Sequence, residues 1–198
     1  MLLRVVILLC LFSSAPCFIP VRSANRKDPT AIQLTAIGKY GIPRKERKNV
    51  RSHLHTGIDI ERPGKEYDHE PVFPVATGRV ISMRNDGPYA QLILEHELNG
   101  EKFWTLYEHI AGICVNVGEK TNPEKPIARF MNKKELDSYG WQFDHFHLEI
   151  LKIKPFSIKP DKLHPQRFYG AYTLICYKDT DLEKYYFEPL QFLKEHMR

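Results

Sequence analysis

Two apolar, alternating runs, Ala90 to Glu95 and Lys102 to Tyr107, stand on either side of Asn99-Gly100, and this dipeptide restricts the fold more than any other feature of the chain. Asn and Gly tolerate the positive φ that a two-residue type I′ turn requires, so a hairpin is expected between Leu92–His96 and Phe103–Tyr107. Pro71 to Ala76, Gly78 to Met83 and Phe146 to Ile150 are further short runs of strand character, with turn residues such as Asn85-Asp86-Gly87-Pro88 between them. The pattern predicts a mainly β, antiparallel domain with few short helices. Lys133 to Tyr139 can form one helical turn or two, and Pro189 to Met197 reads as a helix with proline in its first turn and Leu190 and Leu193 on one face. Tyr169 to Lys178 reads as a strand, and Pro155 to Pro165, with three prolines, as a loop.

The first 17 residues run from Arg4 through apolar Val5 to Phe12 to the small residues Ser13, Ser14 and Ala15, the order of a secretory signal. Cleavage is expected after Cys17, or else near Ser23 or Ala24. A lipid-modified cysteine is the competing reading, with Pro16 where a small residue would normally precede it. No later apolar run is long enough to span a bilayer, so the mature chain is expected to be soluble, in the periplasm or outside the cell. The roughly 180 residues that remain suit one domain. Residues 18–32 carry prolines and charges without periodicity and read as an extended lead-in, with the folded part starting after Thr30.

The full chain carries 29 Lys and Arg against 24 Asp and Glu, a formal charge of +5. Losing Arg4 leaves a basic protein, which favours a polymer or surface bearing carboxylates or phosphates. Nucleic acid is not expected as a partner, because Arg44, Lys45, Arg47 and Lys48 read as a short solvated loop rather than a binding patch. With Cys10 and Cys17 removed, Cys114 and Cys176 form an even pair in an oxidising compartment. A Cys114–Cys176 disulfide is expected, two separate buried thiols being the alternative.

Chemistry concentrates in His55-Thr56-Gly57-Ile58-Asp59 and Asp144-His145-Phe146-His147-Leu148-Glu149. Two imidazoles and one carboxylate are the ligand set of a catalytic zinc that keeps one position open. In a continuous strand His55 and Asp59 would be about 13 Å apart, whereas ligands of one ion stand about 3 Å apart, so the chain must bend, and Thr56-Gly57 is the place for it. In the second cluster Phe146, Leu148 and Ile150 alternate with His145, His147 and Glu149, which puts both histidines on the polar face of a strand. Glu149 shares that face and could orient an imidazole. A third imidazole, His109, follows Leu106-Tyr107-Glu108 where a strand gives way to a loop.

The order His-x-x-x-Asp, Tyr-x-His, His-x-His-Leu-Glu resembles the lysostaphin and LytM-type zinc endopeptidases of bacterial cell walls, over roughly Ile37 to Leu151. The resemblance extends to Pro71-Val72, Ala76-Thr77-Gly78-Arg79-Val80 and the spacing around Val117. It implies His55, Asp59 and His147 as zinc ligands, His109 and His145 as the catalytic pair beside the ion, Zn2+ as cofactor and peptidoglycan peptide as substrate. Tyr40 takes the place of the tyrosine that assists the oxyanion in some relatives. The domain reading that follows is signal peptide 1–17, lead-in 18–32, metallopeptidase 33–153, and an insertion with C-terminal segment, 154–198, packed on the same domain.

Two departures stand out. Relatives usually have a glycine- and serine-rich stretch before the His-x-His strand, where this chain has Asn132 to Asp144 with Tyr139, Trp141 and Phe143. An insertion also separates that strand from Glu188-Pro189. The resemblance implies hydrolysis of peptide bonds in peptidoglycan stems or cross-bridges. The alternatives are a LytM-like module that binds the wall or activates another hydrolase, and a non-haem iron oxygenase, whose usual first pair is His-x-Asp.

Overall fold

The computed structural model describes residues 16–197, so the expected signal lies outside the described residues except for Pro16 and Cys17. Seven strands build one antiparallel sheet: β1 Ile58–Glu61, β2 Gly78–Arg84, β3 Gln91–Leu98, β4 Glu101–Glu108, β5 Lys120–Thr121, β6 His145–Leu151 and β7 Tyr186–Phe187. Their order is β7-β6-β4-β3-β2-β5, and β1 shares with β7 the edge of β6 that faces away from β4. The expected hairpin is the spine of the sheet. Leu98 pairs with Glu101 across Asn99 and Gly100, whose φ values of 54° and 83° fit a type I′ turn, and pairing continues to Gln91 and Glu108.

Three helices complete the domain: α1 Lys133–Tyr139, α2 Asp179–Tyr185 and α3 Pro189–His196. Asn132 and Glu135 form a reciprocal capping box at α1, and the Glu188 carboxylate accepts from the Leu190 and Gln191 N–H groups at α3. α2 has no apolar stripe, since only Leu182 is buried, and starts where Asp181 accepts from the Tyr177 and Lys178 N–H groups. Two expected strands are shorter than the pattern predicts. Only residues 71–72 pair, with 128–129, because Pro74 has no N–H to continue a ladder. Of Tyr169 to Lys178 only residues 169–170 pair, because the chain then turns so that the Thr173 hydroxyl reaches the buried Glu149 carboxylate.

Period-two alternation divides the core between the two faces of the sheet. Leu92, Leu94, Tyr107, Phe146, Leu148 and Ile150 join Phe192 and Leu193 of α3 on one face. Ile93, Trp104, Leu106, Leu151, Cys176, Leu182 and Tyr186 fill the other. The residues before Thr30 belong to the fold, contrary to expectation. Cys17, Ile19 and Val21 alternate into the first cluster, while the Phe18 N–H donates to Val75 and the Phe73 N–H to Pro20. Each buried aliphatic side chain there is worth about 1.5–3 kcal/mol, a contribution that Pro20 and the charged residues after Val21 hide from a search for strands.

The expected disulfide is absent: Cys17, Cys114 and Cys176 are all free thiols. Cys176 is buried behind the second face of the sheet. Cys114 is exposed, with its N–H on Ile127 and its thiol on Pro126, between Ile113 and Val115, which pack towards the first face. The sheet stands between the two. Cys17 is buried in the core as well, so the described residues hold three thiols rather than an even pair.

His96 illustrates what burial does to an imidazole. Its Nδ1–H donates to the Thr77 carbonyl, its Nε2 accepts from the Thr105 hydroxyl, and burial pushes its pKa down to about 4. A group that resists protonation only in the folded state stabilises the fold fully above its unfolded pKa near 6.5 and less as pH falls towards 4. Denaturant titrations are therefore expected to show roughly 3 kcal/mol of this stability lost between those limits. His96→Gln should flatten that part of the profile, and an unchanged slope would contradict the assignment.

Candidate metal centre

Sheet register does most of the assembly. Asp59 of β1 pairs directly with His147 of β6, and on its other edge His147 pairs with Glu108, the last residue of β4. His109 follows Glu108 at once, and His145 stands one alternation back from His147 on the same face. His55 arrives by the expected bend: residues 53–54 pair with 43–44, the chain turns at Thr56-Gly57, and β1 begins at Ile58. Gly57 passes against β6 so closely that a Cβ there would overlap the Leu148 carbonyl and the His147 ring, which leaves glycine as the residue that fits.

Among the described residues, His55, Asp59 and His147 form a buried group of metal-ligating type whose donor atoms all lie within 4.8 Å of one another. His55 Nε2 is 3.1 Å from Asp59 Oδ1 and 2.9 Å from His147 Nδ1, and the last two atoms are 2.9 Å apart. The outer atom of each residue is engaged elsewhere. His55 Nδ1–H donates to the Lys39 carbonyl at 2.8 Å, His147 Nε2–H to Glu149 Oε1 at 3.1 Å, and Asp59 Oδ2 accepts from Arg44. These partners fix both tautomers, so two imidazole lone pairs and a carboxylate oxygen face one point.

Three acceptors about 3 Å apart repel one another unless a proton or a cation lies between them. Without a cation the site takes a proton: burial disfavours the His147 imidazolium, but hydrogen bonds to Asp59 and Glu149 outweigh it and lift its pKa to about 10. Burial opposes the charge on Asp59 too, yet its bonds to His147 and His55 hold it far below the carboxylate range. Ligands held at 2.0–2.1 Å around a tetrahedral ion stand roughly 3.3 Å apart, so donor type, spacing and charge all fit a divalent cation.

His109 and His145 border this group, their ring centroids 5.2 Å apart. His145 Nε2 is 3.9 Å from Asp59 Oδ1. His109 is held in a left-handed conformation, φ 62°, which for a non-glycine residue is costly and found at functional sites. Its Nδ1–H donates to the Pro88 carbonyl at 2.6 Å, leaving Nε2 as a free acceptor. Burial lowers the pKa of both, that of His145 to about 4, so both rings are neutral at pH 7.

All five residues singled out in the sequence are thus brought together, and several of their partners were not legible. Arg44, read as part of a solvated loop, has its side chain only 19% exposed and lies on the Asp59 carboxylate, because the pairing of Arg44 with His53 carries it to the site. Glu149 sits on the expected face of β6, but that face is covered: the carboxylate is fully buried and accepts from the hydroxyls of Thr56 and Thr173 as well as from His147. Tyr40 packs against both apolar clusters, and its hydroxyl makes no hydrogen bond to the histidines. His53 and His96 are buried away from the group, and His196 donates to the Phe192 carbonyl.

Among solved structures, a zinc-containing peptidase from Vibrio cholerae is 24% identical, aligned over 69% of this chain with a TM-score of 0.45, and the chain spans 37% of that protein's length. Lysostaphin is 16% identical over 85% of this chain and 52% of its own, with a TM-score of 0.47. The SpoIIQ-SpoIIIAH pore-forming complex contains a chain 18% identical over 86% of this one and 97% of its own, with a TM-score of 0.45. No curated protein sequence gives a significant match. The sequence profile of peptidase family M23 matches residues 53–160, more than half of the chain and the whole of the metal centre apart from Arg44 and Lys39, and the protein belongs to that family.

Proposed function

We propose that the protein is an exported zinc metalloendopeptidase that hydrolyses peptide bonds in the stems or cross-bridges of peptidoglycan. The observation that carries this reading is the convergence of three acceptor atoms, from His55, Asp59 and His147, on one point beside two neutral imidazoles. His55, Asp59 and His147 would hold the ion. A zinc ion there supplies Lewis-acid polarisation of the scissile carbonyl and acidification of a water. His109 Nε2, with its lone pair free and its ring fixed through Pro88, is placed to take a proton from the attacking water. The proton taken by His109 then goes from it to the departing amine, while the neutral His145, across from it, would donate a ring N–H to the developing oxyanion. Membership of a peptidase family and a net positive charge suited to a carboxylate-bearing polymer support the choice of substrate.

The test is to incubate the purified protein with isolated wall sacculi and to sequence the soluble fragments. New peptide amino termini are expected, lost on chelation and restored by zinc. Binding to sacculi with zinc present and no fragment released would identify a binding module instead.

Glu149 acts here as a positioning residue. Glu149→Gln keeps hydrogen bonds to Thr56 and Thr173 but removes the charge that draws the His147 Nε2–H, and zinc affinity is expected to fall about 10–100-fold. Competition with a chromophoric chelator measures this, and an unchanged affinity would contradict the role.

Export by the N-terminal segment is part of the same proposal, with one change to the cleavage site. Cys17, Ile19 and Val21 lie in the core, and the Cys17 N–H donates to His196, so processing is expected N-terminal to Cys17, and a buried Cys17 thiol is unsuited to carry lipid. Intact-mass analysis of exported protein checks this, and a mature terminus at Phe18 or beyond would contradict it.

A further inference from the structure

Beyond the two histidines the cleft has a wall that the reaction does not use. Two cavities, of about 300 and 240 Å³, adjoin there and share Tyr139 and Glu135. The first is lined by Asn132, Lys134 and Ser138 of the α1 segment. The second runs past Asn85 and Gly87 to Met131 and to Ile110, Ala111 and Gly112, the three residues that follow His109. The Tyr139 ring lies against Gly87, where an added Cβ would meet it at 3.2 Å.

Three aromatic side chains stand exposed around this wall: Tyr89 at 46%, Tyr139 at 44% and Trp141 at 48%. They are not loose. The Trp141 indole N–H donates to Asp137 at 3.0 Å and the ring packs edge-on to Tyr67, while Tyr89 packs edge-on to Phe143, whose ring is 5.0 Å from that of His109. Exposed aromatic faces beside a first cavity lined by amide, hydroxyl and amine groups combine the two contacts a sugar ring needs. Its C–H face stacks on an aromatic ring, and its hydroxyl and acetamido groups hydrogen-bond to planar or flexible polar side chains. A pocket for a large apolar peptide side chain would need an apolar lining, which Asn132, Lys134, Glu135 and Ser138 of the first cavity do not provide, while the second sets Asn85 beside the apolar Ile110, Ala111 and Met131.

We propose that Tyr139 and the two cavities form a saccharide subsite, so that the preferred substrate is a stem peptide still attached to its N-acetylated sugar rather than a bare cross-bridge. This rests on the peptidase reading above for its orientation along the substrate, but the binding itself does not require hydrolysis.

Two measurements separate the claims. The chain has two tryptophans, and Trp104 is 7% exposed, so titrating the peptide-free N-acetylated disaccharide of peptidoglycan into the full chain should change the emission of Trp141 saturably. Tyr139→Ala should abolish that response, and Ser138→Phe, which fills the first cavity without adding a tryptophan, should weaken it, with thermal melts reporting whether each variant folds. In parallel, kcat/KM for a disaccharide-linked stem peptide should exceed that for the same free peptide at least tenfold, which corresponds to about 1.4 kcal/mol, and the ratio should fall towards one in Tyr139→Ala. Equal cleavage of both peptides with no saturable fluorescence change would overturn the subsite and leave the peptidase standing. Saturable disaccharide binding with neither peptide cleaved would uphold the subsite and overturn the peptidase.

Discussion

Asp59→Ala and His147→Ala are each expected to lose the metal and all measurable hydrolysis. Either change removes one of three acceptors, and Asp59→Ala also leaves Arg44 without its carboxylate in a site whose remaining charge no longer favours a cation. His147→Ala does the reverse, leaving Asp59 and Glu149 as two buried carboxylates deprived of the imidazole between them. Breaking a buried, hydrogen-bonded charge group in this way typically costs about 3–5 kcal/mol, so both variants should also melt earlier than the parent. Metal content after dialysis and the melting profile measure the two effects. Full zinc occupancy in both variants would remove these residues from the ligand set.

The second large effect separates metal from rate. His109→Ala and His145→Ala are expected to retain zinc and the parent's fold while turnover falls by about 10²–10⁴-fold, the usual contribution of a placed proton-transfer group. The register explains why zinc should stay: neither ring makes a hydrogen bond to His55 or His147, and His145 Nε2 stops 3.9 Å short of Asp59 Oδ1. His109→Ala keeps the Cβ in the same left-handed backbone and removes no ligand. Parent-like rates in both variants on a substrate the parent cleaves would show that the two rings have no part in the chemistry.

How much of this could be read from the chain depended on whether the signal was local. Asn99-Gly100 specifies its turn through the φ that those two residues tolerate, and the hairpin forms where expected. The bend at Thr56-Gly57 and the shared face of His145 and His147 likewise follow from spacing and alternation, whereas His109 joined the set only through the resemblance to the family. Arg44 was invisible because its role depends on pairing with His53, and nothing in either short segment specifies that partner. Glu149 was placed on the right face but not in the right environment, since the covering hydroxyl of Thr173 comes from a distant part of the chain. The N-terminal strip from Cys17 to Val21 alternates like a strand, yet Pro20 and its nearness to an apolar leader obscure it. The disulfide failed for a different reason. Cysteine parity says nothing about which side of a sheet each thiol occupies, and Cys114 and Cys176 are associated with opposite faces.

The central claim is that His55, Asp59 and His147 hold a zinc ion in the active protein. Anomalous diffraction from crystals of protein purified without added chelator, collected on both sides of the zinc absorption edge, tests it most directly. The account predicts one zinc peak per chain, within about 2.0–2.2 Å of His55 Nε2, Asp59 Oδ1 and His147 Nδ1. A peak at the iron edge instead, or no peak between these three atoms in protein that hydrolyses sacculi, would contradict it.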